Sequence, residues 1–247
     1  RANIYNQGIR NQVLWREEEL TSGDWLMVVK NNYYWTELDA VNNRAGLAKD
    51  STSPAAQNMA ANGSVNSAAA AIPVKPQAVP TQPVEQPTPS FIANGDRAVI
   101  QRVRNRRDLY GFHFVDLWLQ FPDYDNYELQ VTALTDSLST EAPALTREQS
   151  NRLFEQVMLD YADIRTKPER YKKLKEDPYY NALQIKYAYA VTCHKAQGGQ
   201  WAHVYVDQGY MTDDMLTPDY IHWLYTAFTR ATEKLFLVNW PKTQTEP

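Results

Sequence analysis

Between Tyr187 and Trp201 the chain gathers side chains suited to an anionic ligand. Thr192, His194, Lys195, Gln197 and Gln200 crowd around the pair Gly198-Gly199, with apolar runs at Tyr187–Val191 and His203–Val206 on either side. Hydroxyl, imidazole, ammonium and amide groups on a glycine-containing turn between two strands are well placed to meet phosphate oxygens. Further on, Trp223-Leu-Tyr-Thr-Ala-Phe-Thr leads to Arg230, one guanidinium at the end of an otherwise apolar-aromatic helix. Such a group can reach across a cleft and stabilise charge on a transferring phosphoryl group. Its plainer role is that of a cation complementing the helix dipole. A second basic cluster, Arg102, Arg104, Arg106 and Arg107, lies beside Tyr110 and Phe112. That mixture suits a single strand of nucleic acid, with phosphates on the cations and bases on the rings, or else a solvated hairpin tip.

Other chemistry is missing from the sequence. It holds no G-x-x-x-x-G-K-[ST] phosphate loop and no Gly-Lys dipeptide. The four histidines and the one cysteine show no metal-ligand spacing. Neither a Ser-His-Asp arrangement nor a nuclease-like carboxylate pair can be argued. Cys193 reads as a small buried residue at a strand end rather than a reactive thiol. The lysine-rich stretch Lys167–Lys175 reads as a solvated helix face.

Strand, turn, strand, helix, strand over residues 187–238 reads as the edge of an α/β sheet, with Thr217-Pro218 opening the helix, which runs to about Thr232 before a strand at Leu235–Val238. Ile4, Tyr5, Ile9, Val13 and Leu14 predict an amphipathic helix at the start. Trp25–Val29, Arg97–Val103, Phe112–Leu119 and Tyr127–Val131 read as short strands of a small antiparallel barrel, with Asn94-Gly95 as a turn. Thr146 with Gln149 forms a capping box ahead of Leu153, Phe154, Val157, Met158 and Tyr161. From Thr36 to Ser90 there is no aromatic residue, and Ser51–Ser90 carries seven of the 14 prolines. The tract 38–90 therefore reads as a flexible loop, grown where lengthening costs least, or as a Pro-rich ligand for a partner.

Composition sets looser bounds. A net charge of -4 excludes a wholly basic surface but not a basic groove. One cysteine excludes an internal disulfide and fits a reducing, cytoplasmic setting. No apolar run is long enough to span a membrane. The start at Arg1 rather than a methionine reads as a piece of something longer.

The two segments around Gly198 and Arg230 resemble motifs V and VI of superfamily 1 helicases, closest to the RecD-like branch, where they run roughly T-x-H-K-x-Q-G-x-E and Y-T-A-x-T-R-A. Gly23-Asp24 through Lys30-Asn-Asn-Tyr33, and Asn94-Gly95-Asp96, resemble the phrases that open and resume an SH3-like barrel in that branch. The resemblance implies an α/β fold: a partial RecA-like (P-loop NTPase type) second motor domain with a small antiparallel SH3-like β-barrel inserted. Residues 1–20 would begin the motor domain, 21–136 would form the barrel interrupted by the loop 38–90, and 137–247 would complete the motor domain.

By the same resemblance, ATP with Mg²⁺ is held mostly by an upstream P-loop domain of the same parent chain, with nothing tightly bound here. Arg230 faces the γ-phosphate, and Gln197 and Gly198 form the turn that couples ATP to DNA. Gln200 stands where many relatives have a glutamate on the nucleotide ribose, so its contact would be uncharged. Thr192 and His194 face the DNA backbone, Lys195 neutralises a phosphate, and Arg104, Arg106 and Arg107 contact DNA from the barrel. Val204-Tyr-Val-Asp207 has the shape of a Mg²⁺-binding strand end but follows the wrong motif. The implied parent is a monomeric ATP-hydrolysing DNA helicase, or helicase/exonuclease subunit, of DNA repair or recombination. It acts on single-stranded DNA, and this chain alone is inactive. The competing reading is a non-catalytic nucleic-acid or protein-binding module built on the barrel.

Overall fold

The computed structural model describes residues 1–50, 89–212, 215–241 and 244, with backbone only for 44–50. In chain order the elements are α1 (Ala2–Gly8), β1 (Trp25–Val28), α2 (Tyr34–Asp50), β2 (Arg97–Leu109), β3 (Phe112–Phe121), β4 (Tyr127–Leu134) and α3 (Asp136–Ser139). They continue with α4 (Arg147–Asp160), α5 (Lys167–Lys175), β5 (Leu183–Tyr187), β6 (Trp201–Asp207), α6 (Pro218–Phe228) and β7 (Ala231–Val238). These form two compact units: Leu20–Lys186, and a discontinuous one made of Arg1–Glu19 with Tyr187–Pro247. The first is thus inserted in the sequence of the second.

The inserted unit is a closed five-stranded barrel in the order β1-β2-β3-β4-β5. Its hairpins follow from local chemistry. The β3–β4 connection is a 3-10 turn at Pro122–Tyr124 followed by Asp125 and Asn126 at positive φ, while the β2–β3 turn is just Tyr110 and Gly111, both at positive φ. Two left-handed residues in a row give the turn whose twist matches the flanking strands. The barrel interior is filled by Leu26, Ile100, Leu117, Leu119 and Ile185, all fully buried. Barrel closure comes from β5, which pairs parallel to β4 (Ala133 with Leu183, Leu134 with Gln184), while the Val29 N–H donates to the Gln184 carbonyl at 3.0 Å.

This parallel strand corrects the antiparallel barrel read from the sequence. A parallel neighbour needs a long crossover, and here α3, α4 and α5 supply it. The capping box forms as predicted: Gln149 N–H donates to Thr146 Oγ1 at 3.2 Å and Thr146 N–H to Gln149 Oε1 at 3.0 Å. A second core then joins α4 and α5 to the outside of the sheet through Phe112, Phe114, Leu134, Leu153, Val157, Leu174 and Ala182. Residues 137–186, grouped with 187–247 in the sequence reading, therefore lie in the compact unit of the barrel. Of the tract 38–90, residues up to Asp50 continue the helix α2, and 51–88 lie outside the described residues. Tyr127 Oη donates to Asp39 at 2.7 Å, and the indole N–H of Trp35 to the Asn181 carbonyl at 2.9 Å, so the start of α2 is tied to the barrel.

The other unit contains the parallel pair β6–β7, joined through α6, and the N-terminal helix α1 with a π turn at Ile9–Val13. The strand predicted at Tyr187–Val191 lies earlier, at Leu183–Tyr187, and belongs to the barrel. The helix predicted to reach about Thr232 stops at Phe228, and β7 begins at Ala231, ahead of Leu235. No helix among the described residues is long and apolar enough to cross a membrane.

Candidate functional site

The approach to the glycine turn is fixed by polar side chains of the N-terminal helix. Asn6, which is buried, donates from Nδ2 to the Ala190 carbonyl at 2.9 Å and accepts from the Ala190 N–H at 2.8 Å. One amide thus satisfies both backbone groups of a residue that has left its sheet. Arg10, also buried, donates to the Glu18 carbonyl at 2.6 Å and lies 4.6 Å from the Tyr187 ring centroid. Arg16 donates to Tyr189 Oη at 2.6 Å, and Tyr187 Oη donates to the Glu19 carbonyl. Of the apolar positions of the predicted amphipathic helix, Ile4 is 72% exposed and Val13 66%. The signal was carried by the polar positions Asn6 and Arg10, which periodicity does not score.

After Thr192 the chain makes a 3-10 turn, Cys193–Ala196, in which Lys195 and Ala196 donate to the Thr192 carbonyl at 2.9 and 3.1 Å. The Thr192 side chain makes no cap bond and is exposed, as are His194, Gln197 and Gln200, while Lys195 is half-buried. Cys193 faces inward, its Sγ 3.7 Å from the Trp223 carbonyl of α6. Burial pushes its thiol pKa up against the opposing pull of Arg230, which suits an inert residue. Gly198 has φ +90, and a Cβ on Gly199 would run into the Trp201 ring. Both glycines are therefore required here, one by its backbone angle and one by close approach.

Arg230 stands against this turn. Its Nε donates to the Thr226 carbonyl at 2.9 Å, Nη1 to the Gly199 carbonyl at 2.8 Å and Nη2 to Thr229 Oγ1 at 3.0 Å. Its own carbonyl accepts from the Trp201 N–H at 2.8 Å, and Gln200 Nε2 reaches the Thr229 carbonyl at 3.5 Å. A guanidinium has five N–H donors, so these three bonds fix the plane of the fork and leave one hydrogen on each Nη. Arg230 is more than a helix-end cation: it joins the end of α6 to the glycine turn. The structure thus brings Gly199, Gln200, Thr229 and Arg230 together, with Gln197 and Gly198 in the same turn.

Asp207 ends β6 and is already enclosed. It accepts from Tyr5 Oη at 3.0 Å, Asn239 Nδ2 at 3.1 Å and the Gly209 N–H at 3.0 Å. Burial works against its charge, but these bonds and the Arg1 charge outweigh it and hold its pKa below the usual carboxylate range. Among the described residues no group of side chains could hold a metal ion.

The arginines of the basic cluster belong to the barrel unit. Arg107 pairs with Asp116 through bonds of 2.7 and 2.9 Å, and Arg106 reaches the Leu20 carbonyl at 3.5 Å. Arg104 lies 5.4 Å from the Trp118 ring centroid. Phe112, read from the sequence as a ring beside these cations, is 3% exposed in the second core, with Tyr110 packed against it. The partly exposed aromatic partner is Trp118, which sequence proximity did not single out.

Residues 187–238 match the family model of the UvrD-like helicase C-terminal domain. The match includes the glycine turn, α6 and Arg230 and none of the barrel unit. No curated protein matches the chain.

Proposed function

We propose that this chain is the C-terminal part of an ATP-dependent DNA helicase whose phosphate-loop domain lies elsewhere in the parent protein. In this reading residues 1–19 and 187–247 belong to a RecA-like motor domain, and the barrel is the SH3-like insertion. The observation that carries the reading is the fixed guanidinium of Arg230, held on the Gly199 carbonyl inside the segment that matches the helicase model. Backbone and hydroxyl acceptors hold its plane in advance, and its two remaining N–H groups suit a pair of phosphoryl oxygens.

ATP with Mg²⁺ is the substrate, held mainly by the phosphate-loop domain, and its hydrolysis supplies the driving free energy. Arg230 stabilises the charge on the transferring phosphoryl group. Gln197, Gly198 and Gln200 line the nucleotide side of the turn, where Gln200 can offer a hydroxyl an uncharged hydrogen bond. Thr192, His194 and Lys195 face single-stranded DNA. Because Gly199 is bonded to Arg230 and lies in the same turn as these groups, a change at the nucleotide is felt at the strand.

The 247 residues alone are expected to show no ATP turnover above background. Robust hydrolysis by the purified chain would overturn this reading.

A further inference from the structure

We propose that the outer face of β2, β3 and β4 is a stacking platform for single-stranded nucleic acid, with Trp118 beneath a base and Arg102 and Arg104 on the phosphates. The proposal takes its class of ligand from the helicase reading, but all its residues lie in the barrel unit.

The platform follows from register. Leu117 and Leu119 are fully buried, so Trp118 between them must point outward, and it remains partly exposed. Arg102 lies opposite it on β2 and Gln130 opposite it on β4. Arg104, two residues from Arg102, shares that face and places its guanidinium 5.4 Å from the indole centroid. The helices α4 and α5 cover the other end of the sheet, around Phe112 and Phe114, and leave Trp118 outside their core.

Charge sharpens the case. The carboxylate on this face beside Arg104 is Asp116, and it is already saturated. It accepts two bonds from Arg107, one from Asn105 at 2.9 Å and one from Thr132 at 3.0 Å. Its charge is therefore cancelled locally, and among the described residues neither Arg102 nor Arg104 has a carboxylate within ion-pair distance. Glu128 stands at the far end, opposite Gln120, which bonds to Gln101 at 2.9 Å. Between these ends lie two cations, one indole and the amide of Gln130. A base can stack on the Trp118–Arg104 pair, because a planar guanidinium stacks on rings as a ring does. Arg102 then meets the flanking phosphate, and the glutamine amides meet base edges without selecting a sequence.

The test is binding of a fluorescein-labelled oligo-dT of about twelve nucleotides, within the usual site size for such surfaces, to the full chain. Trp118→Ala should weaken binding by about tenfold or more, and Trp118→Phe should retain most of it. Arg102→Gln with Arg104→Gln should reduce the slope of log affinity against log salt by about 1.4, or about 0.7 for each single-strand phosphate that is no longer neutralised. Both arginines are exposed, so this variant keeps the test sound if Trp118→Ala misfolds. Unchanged dT affinity in the Trp118→Ala and double-arginine variants, or equal affinity for a blunt duplex, overturns the platform. A loss confined to Lys195→Ala would likewise overturn it while leaving the helicase reading intact. Weaker binding in the barrel variants with Lys195→Ala unaffected would support the platform and count against the DNA grip assigned to the glycine-turn segment.

Discussion

The barrel unit and the discontinuous unit treat their apolar residues in opposite ways. In the barrel, Leu26, Ile100, Phe114, Leu117, Phe121 and Leu183 are all less than 2% exposed. In the other unit only Val206 and Ala227 are buried among the described apolar residues, while Tyr205 is 70% exposed and Ile221 65%. Tyr205 stacks on Phe236 at 4.5 Å on the face of a parallel strand pair. Parallel sheets are found almost always with both faces covered. The unit that carries the helicase match thus leaves most of β6 and β7 uncovered among the described residues. The unit without a match has a closed barrel and two cores. The helicase match and the closed barrel core thus lie in different units of the chain.

Stability measurements can break this comparison. Phe114→Ala removes a ring shared by the second core and should cost about 3–5 kcal/mol in urea unfolding. Val206→Ala, the closest counterpart in the other unit, should cost less than about 2 kcal/mol. Equal losses would mean the two units fold as one. Next in size, Asp116→Ala leaves Arg107 without its partner and should cost about 1.5–3 kcal/mol, the range for hydrogen bonds to charged groups.

Acid sharpens the contrast. Asp116 is penalised by burial, yet its bonds from Arg107, Asn105 and Thr132 outweigh this and hold its pKa below the ordinary value. Asp207 is held down in the same sense. A carboxylate with a depressed folded pKa adds stability that is complete above its unfolded pKa, about 4, and is lost as pH falls through the folded value. Both units should therefore weaken below about pH 4. Asp116→Asn should flatten the acid limb of barrel unfolding, followed by barrel-specific hydrogen exchange, and leave that of the other unit unchanged. Gly199→Ala should cost about 1–3 kcal/mol by pushing on the Trp201 ring, with the change confined to amides of the glycine turn and β6. Spread of that change into the barrel would contradict the division.

Local signals were well marked in the sequence. The capping box at Thr146, the Asn94-Gly95 turn, the strand runs of β3 and β4 and the placement of Arg230 just past α6 each depend on a few neighbouring residues. What was not legible depends on distant partners. Leu183–Tyr187 is a short apolar run that could join either unit, and only pairing with β4 assigns it to the barrel. The helix α2 has few apolar residues, and its first turns gain their hold from Asp39 and Trp35 meeting Tyr127 and Asn181. Asn6 and Arg10 look like the polar side of an amphipathic helix, yet they are the buried ones because backbone acceptors await them at Ala190 and Glu18. Trp118 is far in sequence from the arginines it joins, and strand register alone brings it to Arg102 and Arg104.

The most direct test of the central claim joins these residues to a phosphate-loop motor domain in one polypeptide and measures DNA-stimulated ATP turnover with Arg230→Ala. The account predicts a fall in kcat of about a thousandfold, the lower range for an arginine of this kind, with nucleotide binding and thermal melting little changed. A kcat within about twofold of the parent would contradict it. Arg230 would then be only a clasp on Gly199, and the barrel-based binding module would become the better description of this chain.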